Sequence, residues 1–473
     1  MLRDPVDHRT YCATLPPLDP AVWGDLVAWC RRADCEPLRP TLSRPPGQRG
    51  RPGRDPVALF RTLALQAVVG EPSITDWVRR VRQSPAWAQL CGWTATTVPA
   101  VSTLYAFLYR LYPDPDRRPG AVRAPSGRRG PVLARGEKLP PRRPGAIDRV
   151  ATRATRERQR PLRPRVADAW DALLALVVAE SVRRGALPAT WDLAADGTGL
   201  VSGAHSFGRK ICACPGRRCR CRRYFSDPTA LLGWDSHRHR YFFGHCAQAL
   251  VVANPVPGQP AHPLVVSVAL HPAHRHDGVA LPDLLRKTQA RYADTGVTLR
   301  RLLADAAYDV AGLWTFTRTC GLTPVFAPHT PPTPPALSPA ALAAGLHLGA
   351  DLRPICATGR PLTPRGPQRP GILIWACPAQ NRRAAPCPTP CAKARGRVTV
   401  NHRGTRYAAS GVPYGSRAWR QIYAQRTAVE RANSLWASAA VKTAHHRRRY
   451  LWYGRLVLAA IVEHVKAWGR VPA

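Results

Sequence analysis

Apolar residues recur at helical spacing in the first part of the chain. Asp55 and Pro56 form a predicted helix start, because an acidic N-cap residue precedes proline at the first helical position. A second predicted start is Ser73, with Asp76 three residues later, and it leads into an amphipathic segment. We therefore expect residues 1–114 to form a helical N-terminal domain.

A third amphipathic helix is predicted after the PAVST segment. Its apolar positions recur at i, i+3, i+4 and i+7, as Leu104, Phe107, Leu108 and Leu111. Three short helices on a basic background are typical of a helix-turn-helix module that contacts DNA. The same pattern also fits a domain used for packing or dimerisation, so both interpretations stay open.

Residues 115–164 are rich in proline, glycine and arginine and show no apolar periodicity. This composition predicts a flexible basic linker between two domains. Its arginines are expected either to follow a DNA backbone or to form a solvated tether.

Strand and helix patterns follow one another in residues 165–455. Strands come first, the earliest ending at an acidic residue, and helices alternate with strands later, which predicts a mixed α/β sheet with flanking helices. A proline-rich stretch at about 320–415 contains short β candidates and is predicted to be a β-rich insertion. A helix over about 416–440 closes this domain, and an apolar helix with a basic tail is expected within 456–473.

The charge balance points to a polyanionic partner. The 473 residues include 70 Lys+Arg and 29 Asp+Glu, a formal net charge of +41. Biased base composition explains the preference for arginine over lysine, but it does not explain the shortage of acids. We expect nucleic-acid binding, because basic side chains bound to phosphates release condensed counterions. Neither a membrane span nor a secretory signal is predicted, so a cytoplasmic, nucleoid-associated protein is expected.

The 14 cysteines, without a secretory signal, indicate reduced thiols or metal ligands rather than disulfides. Four of them form one tight cluster: Cys212, Cys214, Cys219 and Cys221. They are candidate ligands of a structural Zn²⁺ ion, with free thiols or a site that uses His205 as alternatives. A second candidate zinc group consists of Cys377, Cys387 and Cys391.

Acidic residues are scarce, and three of them occupy positions suited to metal-dependent chemistry on DNA. Asp196 and Asp305 are predicted at strand ends, and Glu430 is predicted on a helix. Three such carboxylates can converge on a pair of Mg²⁺ (or Mn²⁺) ions about 4 Å apart. These ions would activate water or a DNA 3′-hydroxyl and stabilise the leaving oxygen.

The motifs around these acids resemble those of bacterial insertion-sequence transposases of the DDE type. Asp196 begins a D-G-T-like segment, and Asp305 lies in an A-D-x-x-Y-D segment. Tyr423, Arg426 and Glu430 match Y-x2-R-x3-E. The helical segment before the linker also resembles the N-terminal domain that these enzymes often carry.

The resemblance implies a catalytic domain with a ribonuclease H-like fold and a DNA-binding N-terminal domain. It implies binding of terminal inverted repeats through the N-terminal helices and the basic tail, phosphodiester cleavage, and transfer of 3′-hydroxyl ends to target DNA. Tyr423 and Arg426 are then expected to contact DNA phosphate. Two subunits are expected in one synaptic complex with the element ends, so a homodimer is implied.

Simpler interpretations remain beside these assignments. Asp196 could be a turn or cap residue, Asp309 competes with Asp305, and Glu430 could pair with Arg426 or Arg431. Three further acids are interpreted as structural: Asp192, Asp227 and Asp235.

One departure from the family pattern leaves other functions open. The family often has a basic residue seven positions after the glutamate, where this chain has Ala437. Lys442 or the basic residues at 445–449 could replace it. The alternative functions are a DNA-binding protein without catalysis and a structure-selective nuclease of the same fold.

Overall fold

Helices form the first part of the described chain, and helices and strands alternate in the rest. The computed structural model describes residues 7–43, 53–113, 121–123, 145–162, 167–215, 219, 221–235, 238–259, 262–329, 336–349, 353–369, 372–378, 397–401, 412 and 414–471. Its helices are α1 (His8–Ala13), α2 (Pro20–Arg32), α3 (Arg39–Leu42), α4 (Pro56–Val68), α5 (Ile74–Gln83), α6 (Pro85–Leu90), α7 (Val101–Leu111), α8 (Ala146–Arg156), α9 (Asp168–Arg183), α10 (Asp277–Tyr292), α11 (Ala311–Thr319), α12 (Pro339–Ala343), α13 (Arg417–Ala424), α14 (Thr427–Ser438) and α15 (Arg449–Trp468). Its strands are β1 (Ala121–Arg123), β2 (Thr190–Val201), β3 (Arg209–Lys210), β4 (Arg223–Phe225), β5 (Leu231–Asp235), β6 (Arg240–Val252), β7 (Leu264–Pro272), β8 (Thr298–Ala304), β9 (Thr323–Phe326), β10 (Ala336–Leu337), β11 (His347–Leu348), β12 (Pro354–Ile355), β13 (Thr363–Arg369), β14 (Ile372–Ala376) and β15 (Arg397–Asn401).

The largest sheet is mixed, as the sequence predicts. Its order is β5-β6-β2-β8-β9, and β7 pairs with β6 beyond the stretch that pairs with β5. β2, β6 and β7 are antiparallel, whereas β2, β8 and β9 are parallel. The carboxyl ends of the parallel strands therefore meet at one edge of the sheet, where polar residues can converge.

The expected helix starts in the N-terminal region are present. The Asp55 side chain accepts the backbone N–H groups of Val57 and Ala58 at the start of α4, and Ser73 caps α5 in the same way. Side chains of α4 are buried along nearly its whole length, so this helix has no face to present to DNA. α5 instead exposes three arginines to solvent: Arg79, Arg80 and Arg82.

α15 lies at the centre of one hydrophobic core that runs from the N-terminal helices to the large sheet. It packs against α4, α7, α9 and β7. A Cβ added at Gly454 would lie 2.9 Å from Trp170 and 3.1 Å from Leu108, so the glycine permits the close approach of α9 and α7. The C-terminal helix expected within 456–473 is therefore present, but it begins at Arg449 and is buried rather than being a basic tail.

Part of the expected linker is folded. Within 115–164, α8 packs against α10 and α11, and β1 pairs with β4. Ala151 is the buried residue of α8, and glycines on the facing helices permit the close approach: Gly312 faces Ala151, and Gly278 faces Ile147. Such a small-residue contact is hard to see in an arginine-rich segment, so the prediction of an irregular linker is wrong there.

The expected β-rich insertion forms a separate unit between β9 and α13. Strands β10, β15, β14 and β13 build a four-stranded antiparallel sheet. It has its own small hydrophobic cluster, which includes Trp375 and Leu346. Among the described residues, no helix is both long enough and apolar enough to cross a membrane.

Candidate active site

Asp196 lies on β2, close to the point where the parallel pairing ends. The last pair between β2 and β8 is Ala194 with Leu303, and β2 continues beyond Asp196 as the antiparallel partner of β6. The expectation that this strand ends at Asp196 is therefore wrong. Asp305 directly follows β8, so the two acids lie at the same edge of the parallel strands.

The contacts of Asp305 and Asp309 separate these two competing acids. Asp309 is buried and accepts hydrogen bonds from the indole N–H of Trp314 at 3.0 Å and the backbone N–H of His329 at 2.8 Å. Asp305 is half-buried and accepts the backbone N–H of Ala307 at 2.9 Å. Asp309 therefore holds the local fold together, which leaves Asp305 as the candidate for metal binding.

Asp196 lies in an electrostatically unfavourable position for a carboxylate. Burial raises its pKa to about 7, and the charges of Asp305 and Asp277 act in the same direction. The backbone N–H of Gly197 and the guanidinium of Arg426 oppose this shift. A buried acid among other carboxylates is the environment in which a bound cation is most stabilising.

Glu430 lies in the first turn of α14, not in the middle of one long helix. The sequence predicts a single helix over 416–440, but the structure contains two helices that meet at Gln425. Asn433, one turn after Glu430, donates its side-chain N–H to Asp196 Oδ2 at 3.3 Å. This contact places the beginning of α14 beside β2.

Arg426 connects the third acid with the first. Its Nη2 donates to Glu430 Oε1 at 2.6 Å, and its charge lowers the pKa of Asp196. The ion pair that the sequence offered as a simpler role for Glu430 is thus present. Arg431 instead donates to Thr427 Oγ1 at 2.9 Å. Because Arg426 acts on both carboxylates, the pair belongs to the same cluster as Asp196.

Tyr423 stacks on Trp419, with ring centroids 4.5 Å apart and an interplanar angle of 11°. The guanidinium of Arg426 lies 5.6 Å from the centre of the Tyr423 ring. Burial raises the pKa of Tyr423, and the charges of Asp305 and Glu430 add to that rise. The tyrosine therefore lies near the second and third acids.

This chain lacks the basic residue that the family pattern has after the glutamate, and a lysine in the next loop acts on the site. Ala437 stands seven residues after Glu430 and offers no charge. Lys442, in the loop after α14, is half-buried; burial and the nearby Arg238 lower its pKa, whereas Asp196 raises it. A cationic side chain from this loop thus acts on Asp196.

The three acids interpreted as structural all have protein partners. Asp192 is fully buried and forms ion pairs with two arginines of β8, the closer at 2.7 Å. Asp227 is buried 3.2 Å from His245 Nε2. Asp235 accepts a hydrogen bond from the backbone N–H three residues later.

Sequence reasoning missed a fourth acid near the site. Asp277 is the first residue of α10, and a Cβ added to Gly197 would lie 2.4 Å from its Oδ2. Its charge also contributes to the raised pKa of Asp196. The available signal was its position a few residues after β7, in a chain where acids are rare.

The four clustered cysteines converge in the loop between β3 and β4. The Sγ atoms of Cys212 and Cys219 lie 3.3 Å apart, those of Cys214 and Cys221 lie 3.4 Å apart, and all four lie within 4.8 Å of one another. Zn–S bonds of about 2.3 Å in a tetrahedron require S···S distances of about 3.8 Å. The donor set therefore fits a structural zinc ion.

Crowding of the four thiols also affects their protonation. The pKa of Cys221 is raised to about 12, and the hydrogen bond with Cys214 is the largest cause.

In the second cysteine group, Cys377 is buried, whereas Cys387 and Cys391 lie outside the described residues.

Two family models match this chain. The model described as Transposase domain (DUF772) matches residues 24–110, and the Transposase DDE domain model matches residues 233–461. Comparison with curated proteins found no match. The second match includes Asp305 and Glu430 and begins after Asp196.

The mixed sheet with its acids and the two matches define the class of protein, which is a transposase with a ribonuclease H-like DDE domain. More narrowly, the chain belongs to the DDE-type transposases of insertion sequences, as the sequence motifs predict.

Proposed function

We propose that this transposase binds the terminal inverted repeats of its insertion sequence, cleaves phosphodiesters there and transfers the 3′-hydroxyl ends to target DNA. The observation that carries this proposal is the convergence of Asp196 and Asp305 with the Arg426–Glu430 pair at the ends of the parallel strands. The proposed substrate is chromosomal DNA, so the proposed place of action is the bacterial cytoplasm, at the nucleoid.

Asp196, Asp305 and Glu430 are the proposed ligands of the divalent cations. Carboxylate oxygens are the hard ligands that Mg²⁺ prefers, and Mn²⁺ accepts the same set. Two bound ions would activate the attacking water or 3′-hydroxyl and stabilise the leaving oxygen. Burial, together with repulsion from Asp305 and Asp277, raises the pKa of Asp196, and this supports the assignment, because a bound cation would stabilise the charged form.

Arg426 and Tyr423 are proposed to hold the scissile phosphate. In the structure, Arg426 donates to Glu430, and one guanidinium can keep further N–H donors for a phosphate oxygen. The stacking of Tyr423 on Trp419 fixes its ring beside the same cluster. Lys442 is proposed to supply the positive charge that Ala437 lacks, since it already acts on Asp196.

Exposed arginines of two helices are proposed to bind DNA outside the acid cluster. α5 exposes Arg79, Arg80 and Arg82, so it is a better candidate for DNA contact than the buried α4. α8 exposes Arg149, Arg153 and Arg156 on the side opposite its packed face. Such arginines would bind phosphates without reading sequence.

Two subunits are proposed to act together, since both ends of an element must be cut. The four-cysteine cluster is proposed to hold a structural Zn²⁺ ion that stabilises the β3–β4 hairpin. Four sulfur ligands complete a tetrahedral ion, so this metal would have no open position for catalysis.

A DNA-binding protein without catalysis is the second candidate function. Ala437 is the residue that favours it, and the charge interaction between Lys442 and Asp196 weighs against it. A structure-selective nuclease differs from a transposase only in its products, because it would cut without joining the ends.

The test uses labelled DNA that carries the inverted repeats found beside the gene. The full chain is incubated with this DNA in Mg²⁺, in Mn²⁺ and in EDTA, and breaks and joined products are mapped. We expect metal-dependent 3′-hydroxyl breaks at the repeat edge and joined products, both lost in Glu430→Gln. Arg431→Gln is the matched control, because that side chain contacts Thr427 instead.

Each contrary outcome has its own meaning. Binding without breakage, with either metal, would overturn catalysis in favour of the DNA-binding function. Breaks without joined products would favour the nuclease. Cleavage that persists in Glu430→Gln would remove this residue from the metal site.

A further inference from the structure

Three side chains from three elements meet on the side of the large sheet that α10 covers. They are Cys246 on β6, His271 on β7 and Asp277 at the start of α10. Cys246 Sγ lies 2.9 Å from Asp277 Oδ1, and His271 Nε2 lies 3.5 Å from the same oxygen. One ligand atom from each residue lies within 4.8 Å of the other two.

The strand register explains this convergence. Cys246 and His271 are directly paired across β6 and β7, so their side chains share one face of the sheet. The chain then turns and begins α10 with Asp277, whose carboxylate covers the backbone of Gly197 on β2. A side chain at Gly197 would collide with that carboxylate, so the glycine keeps the space open.

Hydrogen bonds fix the ring of His271 in the form that a metal ion needs. Its Nδ1 lies 3.3 Å from the carbonyl oxygen of Pro272, which can only accept, so Nδ1 carries a proton. In the neutral ring, Nε2 then carries a lone pair and no proton. This atom is buried without a hydrogen bond. Metal-binding histidines typically hold one ring N–H on a carbonyl in this way and bind the ion with the other nitrogen.

The three donors are poorly matched to one another without a cation. No hydrogen bond joins His271 Nε2 to Asp277 Oδ1, and in the neutral ring the lone pair of this nitrogen faces an oxygen that is itself an acceptor. The thiol of Cys246 donates the single proton that lies among them, to Asp277. His271 and Cys246 are both more than nine-tenths buried, so water from bulk solvent is poorly placed to separate them.

We propose that Cys246, His271 and Asp277 form a binding site for a transition-metal ion of the Zn²⁺ type. One sulfur, one nitrogen and one oxygen donor suit zinc rather than magnesium, and three protein ligands leave a fourth position for water. Binding replaces the thiol proton of Cys246, which is released to solvent, so that the thiolate, imidazole and carboxylate share the ion.

This site is distinct from the acid cluster that the proposed function uses. Successive residues of a strand point to opposite faces, so Asp196 and Gly197 lie on opposite sides of β2. Asn433 of α14 contacts Asp196, whereas Asp277 of α10 covers Gly197. The ion would tie β6, β7 and α10 together behind the acid cluster and neutralise the charge of Asp277, which acts on Asp196.

Cobalt binding tests the site, because Co²⁺ replaces zinc and gives a charge-transfer band when a thiolate binds it. The full chain with all four cysteines at 212, 214, 219 and 221 changed to serine is stripped with chelator and titrated with Co²⁺. The titration is done in millimolar Mg²⁺, which would occupy the proposed acid site. We expect one thiolate-bound Co²⁺ ion with a single-thiolate band, displaced by Zn²⁺. His271→Gln and Asp277→Asn should each weaken binding by at least about 100-fold, since even outer-shell changes cost about 10–100-fold.

Cys320→Ser is the matched control, because this half-buried cysteine lies outside both groups and its loss should leave the band unchanged. A folded four-serine protein without a thiolate–cobalt band would overturn the proposal, as would a band that survives Cys246→Ser. If the four-serine protein does not fold, zinc is counted per chain in the parent and in Cys246→Ser. A loss of one ion supports the site, and an unchanged count refutes it.

Discussion

At the scale of single residues, Arg426 supplies positive charge to the acid cluster. It pairs with Glu430 and lowers the pKa of Asp196, so two carboxylates that would repel each other share one positive charge. Divalent ions would take over this charge balance and free the guanidinium for a phosphate oxygen. The ion pair that looks purely structural on the helix is therefore compatible with a role in DNA binding.

Lys442 gives a prediction at the same scale. Lys442→Ala should lower the rate of end cleavage about 10- to 100-fold, because a hydrogen bond to a charged group contributes about 1.5–3 kcal/mol. The measurement is cleavage of labelled end DNA under single-turnover conditions. Lys466→Ala is the control, since that lysine pairs with Glu463 instead. Equal rates for the two variants would remove Lys442 from the site.

The sequence indicates the three candidate acids more clearly than it indicates their surroundings. Asp196, Asp305 and Glu430 stand out because acids are rare and because each lies in a recognisable motif. Asp277 was missed because its neighbours Cys246 and Gly197 come from other strands, and only the register brings them together. Long-range pairing of this kind is not encoded in local periodicity.

At the scale of elements, α8 changes the picture of the segment between the two predicted domains. Asp148 Oδ1 accepts the backbone N–H of Gly312 at 2.8 Å, which caps the start of α11. Ile147 packs over Gly278 at the start of α10. α8 thus lies across the start of α10, which begins at Asp277, and across the start of α11, which follows the turn after Asp305. Its exposed arginines lie on the side away from these two helices.

This placement predicts a DNA-binding role for α8. Changing Arg149, Arg153 and Arg156 to alanine should weaken binding of duplex DNA of any sequence. The dependence of log affinity on log salt should become shallower by about 0.9 for each DNA phosphate that the protein no longer neutralises. Fluorescence anisotropy at several salt concentrations measures both effects.

The control for α8 is Arg183→Ala, because Arg183 is also exposed at the end of a helix but pairs with Glu180. It is compared with Arg153→Ala alone. A salt dependence that stays unchanged in the triple variant would show that α8 is only a packing element.

Element types were largely predictable, but several element boundaries were not. The caps at Asp55 and Ser73 are local signals, and both are present in the structure. The two helices are separated at Gln425, where the sequence has no glycine or proline. Local propensity therefore could not predict this break. Packing of α14 against β2 and β6 accompanies that break, and such tertiary contacts override propensity.

At the scale of the whole molecule, a buried polar chain joins α9, α15 and β7. The indole N–H of Trp468 donates to Ser181 Oγ at 2.8 Å, and that hydroxyl lies 2.8 Å from His464 Nδ1. His464 Nε2 donates to the carbonyl of Val265 at 2.9 Å. Because a carbonyl can only accept, Nε2 carries a proton, and burial favours the neutral form of this ring.

The buried imidazole predicts how stability depends on pH. Burial lowers the pKa of His464 from 6.5 to about 4, so the unfolded chain takes up a proton first as the pH falls. Stability from this group is present above pH 6.5 and is lost between about 6.5 and 4. When the pH falls from about 7 to about 5, this group should lower the unfolding free energy by about 2 kcal/mol.

Urea unfolding at the two pH values measures this effect. His464→Gln should lose about 2 kcal/mol less than the parent on acidification, although it is less stable at neutral pH. His347→Gln, at an exposed position of the insertion, serves as the control and should match the parent. Parallel losses in the parent and in His464→Gln would show that other groups account for the acid sensitivity.

The central position of α15 has a consequence for the order of events during synthesis. Residues 449–468 are made after the N-terminal helices, the large sheet and all three acids, yet they fill the space that those parts enclose. Until this segment has left the ribosome, α4, α7 and α9 lack the surface against which they pack. A nascent chain already bound to nearby DNA through its arginines would therefore still lack a completed core, so we expect the proposed cleavage to wait until residues 449–468 have left the ribosome.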